Sequence, residues 1–172
     1  HLGVRRQRQM CIRDRIGAGQ MGNGITQVAA CAGYDVIMID IKEEFTAKGL
    51  ATIEKSLSKL VSKERMTQQE SDNAMAKITT STSRKDCHDV DLVIEAVPEI
   101  LDLKLTIFKE LDSICQPDCI LASNTSSISI SEIASATNRP DKVIGMHFMN
   151  PVPIMKLVEI INGSKTLSLI HI

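Results

Sequence analysis

The sequence predicts an α/β fold: a doubly wound, mostly parallel sheet with a long helical insertion after the second strand and antiparallel final strand or strands. Three observations carry this prediction. Short apolar, β-rich runs alternate with helical stretches along the 172-residue chain, as in a parallel sheet covered by helices on both faces. A glycine-rich turn, Gly17-Ala18-Gly19-Gln20-Met21-Gly22, stands just before the first helical stretch. Two apolar runs near the end flank the proline turn "NPVP" at 150–153, which can reverse the chain.

Each element has its own signal. A first strand should lead into the glycines, but "MCIRDR" carries Arg13, Asp14 and Arg15 where a buried strand is apolar. Residues 20–32 are small and helical. "YDVIMID" (34–40) is a short apolar run ending in an acid, a buried strand. Across 42–66, Phe45, Leu50, Ile53, Leu57, Leu60 and Val61 recur at helical spacing and make a long amphipathic helix. "TQQE" (67–70) is a capping-box pattern opening a short helix through Ile78. "ITTS" (78–81) is a weak strand and "VDLVIEAV" (90–97) a strong one. A helix covers 99–115, a strand 119–123, and "SISE" (129–132) caps another short helix. Strands at 142–148 and 155–161 enclose the proline turn.

Composition bounds the rest. With 20 Lys and Arg against 21 Asp and Glu, the net charge is -1, giving no global attraction to nucleic acid or anionic membrane. Hydrophobic residues are 43% and aromatics only 2%, so the core is aliphatic. No apolar run approaches the roughly 20 residues of a membrane span, and the basic N-terminus has no apolar stretch behind it to make a secretory signal. Five cysteines at 11, 31, 87, 115 and 119 show no disulfide framework, which favours a reducing, cytoplasmic setting. Cys115 and Cys119 in "CQPDC" lack a second pair of ligands, so no metal site is expected.

The glycine turn fits G-x-G-x-x-G. Gly17 permits the tight turn, Gly19 lets a pyrophosphate approach the backbone, and Gly22 lets helix and strand pack closely. The helix that follows aims free N–H groups and its dipole at the anion. Asp40 lies 18 residues after Gly22, at a strand end, where a carboxylate binds ribose hydroxyls and repels a 2′-phosphate. NAD is therefore the expected cofactor, and Lys42 keeps NADP as the alternative. Without a ligand, Asp40 is a helix cap or a solvated strand end. Together these features specify a Rossmann-type sheet.

Two later stretches lie at strand ends, where open α/β sheets bind ligands. "ILASNTSSISISEI" (120–133) packs six hydroxyls and an amide, and "GMHFMNPVPIMKLVEII" (145–161) places a His, an Asn and a Glu about the turn. His147 and Glu159 are equidistant from Pro153. If the flanking strands pair antiparallel, the two face each other at about 5 Å between Cβ atoms. A carboxylate beside a histidine suits a general base that takes an alcohol proton. The alternative is a packed histidine with an exposed glutamate.

From "IGAGQMGNGITQVAA" through "DLVIEAVPE" and "ILASNTSSISI" to "IGMHFMNPVPIMKLVEII", the sequence resembles the NAD-binding domain of L-3-hydroxyacyl-CoA dehydrogenases over roughly residues 16–166. "DIKEEFTAKGL" and "LSKLVSK" are most similar to the short bacterial 3-hydroxybutyryl-CoA dehydrogenases. The resemblance implies that His147 is the catalytic base, Glu159 its partner, and Ser126 a contact to the reacting hydroxyl and the nicotinamide. It implies cofactor contacts at Gly17, Gly19, Gln20, Met21, Gly22, Asp40, Ala96, Glu99, Lys104 and Asn150, and contacts to the CoA portion at Ser56 and Lys63. On spacing alone Ser56 and Lys63 are a solvated helix face. The implied reaction interconverts (3S)-3-hydroxyacyl-CoA and 3-oxoacyl-CoA by hydride transfer.

The sequence departs from that family at both ends. "MCIRDR" breaks the first strand, and family-like sequence stops near Thr166, before "LSLIHI". Both ends resemble translated sequencing adapter, so residues 1–15 and 167–172 are expected to be non-native. The family's C-terminal helical domain, which supplies most of a homodimer interface and part of the acyl pocket, is expected to be absent. Charges buried in a central strand should disturb folding locally or push residues 13–15 out of the sheet. Alternatives to a monofunctional dehydrogenase are a piece of a multifunctional fatty-acid oxidation protein and a non-catalytic NAD-binding module.

Overall fold

The computed structural model describes residues 15–166. The expected non-native leader and tail therefore lie outside the described residues, Arg15 excepted. Seven strands form one sheet in the order β3-β2-β1-β4-β5-β6-β7. The strands are β1 (Arg15–Ile16), β2 (Val36–Ile39), β3 (Ile78–Ser81), β4 (Leu92–Glu95), β5 (Ile120–Ser123), β6 (Val143–Phe148) and β7 (Val158–Asn162). Only β7 runs antiparallel, against β6. The helices are α1 (Gln20–Cys31), α2 (Glu43–Ser62), α3 (Gln68–Ala76), α4 (Leu101–Ile114) and α5 (Ile130–Ala134). The architecture is the expected Rossmann-type α/β sheet, with α2 and α3 inserted after β2.

Alternation along each strand divides the core between two faces. Ile39, Val93, Leu121 and Val143 point to one side, against Ile107, Phe108 and Leu111 of α4 and Ile133 of α5. Met38, Ile94 and Ala122 point to the other. There Met38 packs with Ala29 and Ala30 of α1 and with Ile53 and Leu57 of α2, while Ile94 and Ala122 pack with Ile25. Every one of these residues is under 9% exposed, so the sheet is covered on both faces, as a parallel sheet requires.

Several boundaries differ from the sequence expectation. Arg15 is not expelled: its backbone pairs with Met38 and Ile94, because β1 must bridge β2 and β4 to close the sheet. Helix α2 ends at Ser62 rather than Met66. Glu64 takes a left-handed conformation (φ 55°), and the Arg65 N–H bonds the Leu60 carbonyl at 2.9 Å, a Schellman-type stop that glycine usually makes. Helix α3 opens with the expected capping box between Thr67 and Glu70 but stops at Ala76, since Ile78 is taken into β3 opposite Val36. Ser129 sits at the N-cap of α5, yet its side chain makes no capping bond. Short 3-10 turns at Arg84–Asp89 and Pro140–Lys142 carried no periodic signal.

Candidate active site

The glycine turn and the end of β2 frame a cleft of about 1100 Å³ lined by Gly17, Gly19, Asp40, Lys48, Arg84 and Ala96, among others. Gly17 is needed twice over. Its φ is +109°, and a Cβ there would stand 2.8 Å from the Ala96 carbonyl oxygen. At Gly19 a Cβ would meet nothing within 4 Å, because the residue faces the open cleft. Gly19 is also the N-cap of α1, with no side chain capping it and no acid in the first turn. The leading N–H groups of α1 thus lack a carbonyl one turn back and stay available to an anion. Gly22 is buried in α1. Asp40 braces this turn as well as edging the cleft: Oδ2 accepts from the Ala18 N–H at 2.6 Å and Oδ1 from the Ile41 N–H at 2.7 Å. Lys42, the residue that kept NADP open, instead lies over the Phe45 ring, 5.7 Å from its centroid.

A second cavity of about 330 Å³ adjoins the first, sharing Ala96, Val97 and Pro98 with it. Met21, Glu99, Asn124, Ser126, His147 and Asn150 also belong to its wall. Beneath it runs a polar network. Lys104 of α4, 1% exposed, gives its ammonium to Glu95 Oε1 at 2.7 Å and to Glu99 Oε2 at 3.1 Å. The other oxygen of Glu95 accepts from the Ser123 hydroxyl at 2.7 Å. Glu99 Oε1 accepts from the Thr125 hydroxyl at 2.7 Å, the Ser126 N–H at 2.8 Å and the Ser126 hydroxyl at 3.3 Å. Burial raises the Glu99 pKa, but these donors and the Lys104 charge outweigh it and bring it down to about 2.

Across the cavity, β6 and β7 pair in the register His147 opposite Glu159. His147 Nδ1 meets Glu159 Oε2 at 2.9 Å. The histidine is 22% exposed and the glutamate 50%. The contact orients the ring and leaves Nε2 as the nitrogen free to exchange a proton. The Phe148 N–H donates to Asn124 Oδ1 at 2.8 Å, tying the end of β6 to the loop after β5. Gln20 Nε2 donates to Asn150 Oδ1 at 3.2 Å across the top of the cleft.

The sequence matches the family described as "3-hydroxyacyl-CoA dehydrogenase, NAD binding domain" over residues 15–170. The chain belongs to the 3-hydroxyacyl-CoA dehydrogenase family. A 3-hydroxybutyryl-CoA dehydrogenase of Bradyrhizobium diazoefficiens is 48% identical over 151 residues, which is 88% of this chain and 52% of that protein. The alpha subunit of the fatty acid oxidation complex of Psychrobacter arcticus is 43% identical over 88% of the chain and 21% of its own length. Among solved structures, the (S)-3-hydroxybutyryl-CoA dehydrogenase of Ralstonia eutropha superposes with a TM-score of 0.89 at 48% identity, covering 91% of this chain and 55% of that one. The chain therefore spans about half the length of its 3-hydroxybutyryl-CoA dehydrogenase relatives.

As a member of the 3-hydroxyacyl-CoA dehydrogenase family, the chain has NAD as its cofactor, and its residues fit that group. The uncapped start of α1, the open face at Gly19 and the Asp40 carboxylate line one cleft. Of the expected site residues, Met21, Ala96, Glu99, Ser126, His147 and Asn150 converge on the smaller cavity. Gln20 borders the larger one, and Lys104 lies underneath, reaching the site through Glu99. Ser56 and Lys63 are not brought there: Ser56 is half-buried on α2, Lys63 is exposed at its C-cap, and neither lines either of these two cavities. The expectation missed Glu95 and Asn124. An acid inside the apolar run "VDLVIEAV" was the available signal for Glu95, and Asn124 stood unused inside "SNTSS". Cys115 and Cys119 lie with Cys87 in one buried cluster. Among the described residues no three His, Cys, Asp or Glu side chains are placed to hold a metal ion.

Proposed function

We propose that this chain is the cofactor-binding and proton-transferring part of a (3S)-3-hydroxyacyl-CoA dehydrogenase that interconverts short 3-hydroxyacyl-CoA, such as 3-hydroxybutyryl-CoA, with 3-oxoacyl-CoA. The observation that carries the proposal is the His147–Glu159 contact at the wall of a cavity that adjoins the glycine cleft. NAD, when bound, supplies the hydride acceptor, and NADH the donor in reverse. His147 Nε2 takes the 3-hydroxyl proton during oxidation and returns it during reduction. Glu159 on Nδ1 holds the ring and steadies the imidazolium that forms. Ser126, positioned by the bond from its backbone N–H to Glu99, turns its hydroxyl to the substrate oxygen. Gly17, Gly19, Gln20, Met21, Gly22, Asp40, Ala96, Glu99, Lys104 and Asn150 are assigned to the cofactor. Ser56 and Lys63 stay assigned to the CoA portion on the family resemblance alone.

The same reading makes the working protein cytoplasmic and a homodimer, assembled through the helical region that family members carry beyond this domain. No helix among the described residues is long and apolar enough to cross a membrane. The test is acetoacetyl-CoA-dependent oxidation of NADH, followed by the loss of NADH absorbance. It is run on this chain and on a fusion carrying the second half of the Bradyrhizobium diazoefficiens relative. Turnover in the fusion supports the proposal. Absence of turnover in a folded fusion that binds NADH would favour a non-catalytic binding module.

A further inference from the structure

The Glu95–Lys104–Glu99 cluster is more than a support. It holds two carboxylates and one ammonium in contact, with Glu95 0% and Lys104 1% exposed. An ion pair alone would be neutral, and the second carboxylate leaves the cluster with one net negative charge. That charge lies against the smaller cavity. Glu99 is part of the cavity wall, and Glu95 Oε1 accepts the N–H of Val97, another wall residue, at 2.7 Å. Ser123 holds Glu95 from below, so the charge cannot swing away. His147 lines the same cavity, so the reacting nicotinamide must enter it. The nicotinamide ring is a cation in NAD and neutral in NADH. A fixed negative charge beside the ring discriminates between those two states.

We infer that Glu95, which touches neither cofactor nor substrate, sets the balance between oxidised and reduced nucleotide. It does so by making the cluster anionic, so that NAD is held more tightly relative to NADH than a neutral cluster would hold it. The inference rests on the nicotinamide reading above. Glu95→Gln keeps the side chain's volume and, by turning its amide toward Ser123, keeps an oxygen toward Lys104 and Val97. It makes the cluster neutral. A double variant, Glu95→Gln with Lys104→Met, removes the pair and leaves the net charge at one negative on Glu99. Glu99→Gln, at a side chain 39% exposed, also neutralises the cluster.

The test is titration of this chain with NAD and with NADH separately, by calorimetry and nucleotide fluorescence, with circular dichroism to verify each fold. The expected result is that Glu95→Gln raises the ratio Kd(NAD)/Kd(NADH) by about tenfold. Glu99→Gln should raise it similarly, whereas the double variant should stay within about twofold of the unsubstituted chain. If Glu95→Gln does not fold, the contrast between Glu99→Gln and the double variant decides. A folded Glu95→Gln chain with an unchanged ratio, or a double variant that moves as far as Glu99→Gln, overturns the inference. An unsubstituted chain that binds neither nucleotide overturns the nicotinamide reading, and the inference with it. A purely structural role for Glu95 would weaken both nucleotides together and leave the ratio alone.

Discussion

His147 and Glu159 are twelve residues apart in the chain and 2.9 Å apart at their side chains, because an antiparallel register around Pro153 sets them opposite each other. In the fusion protein, His147→Gln is expected to lower turnover about 10²- to 10⁴-fold while NADH affinity stays within about twofold, since the cleft around Gly17 and Asp40 is untouched. Near-normal rates in that variant would remove His147 from its role. Glu99 makes a separate prediction. Its carboxyl ionises near pH 2 in the folded chain against an ordinary value of 4.5. A depressed folded value stabilises the fold above the ordinary value and loses that stabilisation as pH falls toward the folded one. The thermal midpoints of the unsubstituted chain and Glu99→Gln should therefore differ by a constant amount above pH 4.5 and converge toward pH 2. A gap that widened on acidification would contradict the network drawn around Lys104 and Ser126.

At the scale of elements, two contacts fix how helices α4 and α1 are held. Arg139 Nε meets Asp112 Oδ1 at 2.7 Å, and its other nitrogens donate to the carbonyls of Asp112, Cys115 and Gln116, closing the C-terminus of α4. Asp112 keeps two donors from Asn138, so Arg139→Ala removes the ion pair and the carbonyl caps without stranding the carboxylate, and should lower the unfolding free energy by about 2 kcal/mol, measured by urea denaturation. Helix α1 meets the proline turn at Gly24, where a Cβ would stand 2.8 Å from Val152 Cβ. Gly→Ala inside a helix usually gains about 0.5–1 kcal/mol, but overpacking costs about 1–3 kcal/mol. Gly24→Ala should therefore be destabilising by about 1 kcal/mol, the reverse of an exposed helical glycine. The same denaturation experiment reads its sign, and a stabilised variant would mean that the turn yields freely.

For the molecule as a whole, the glycine cleft and the His147–Glu159 pair both lie within residues 15–166, whereas the chain spans only about half the length of its relatives. Binding and turnover should therefore separate. This chain is expected to bind NADH by itself and to oxidise it with acetoacetyl-CoA far more slowly than the fusion does. Fluorescence titration of the chain beside the rate assay of both proteins checks this. Equal rates in chain and fusion would show that nothing beyond the cofactor domain shapes the acyl site.

The alternation of short apolar runs with helices was enough to place the sheet, because strand and helix periods are local properties of the chain. The glycine turn and Asp40 were legible for the same reason: their spacing spans one β-α-β unit. Even the His147–Glu159 pair could be anticipated, since one turn and one register bring it together. Only the tertiary structure decided the rest. It put Arg15 into the ladder between β2 and β4, and it stopped α2 at a left-handed Glu64 that no glycine announced. It also gathered Glu95, Lys104, Glu99 and Ser126 from β4, α4 and the loops after β4 and β5. Those four meet because a parallel sheet aligns its strand ends while the helices return behind them. That alignment is long-range and leaves no periodic trace in the sequence.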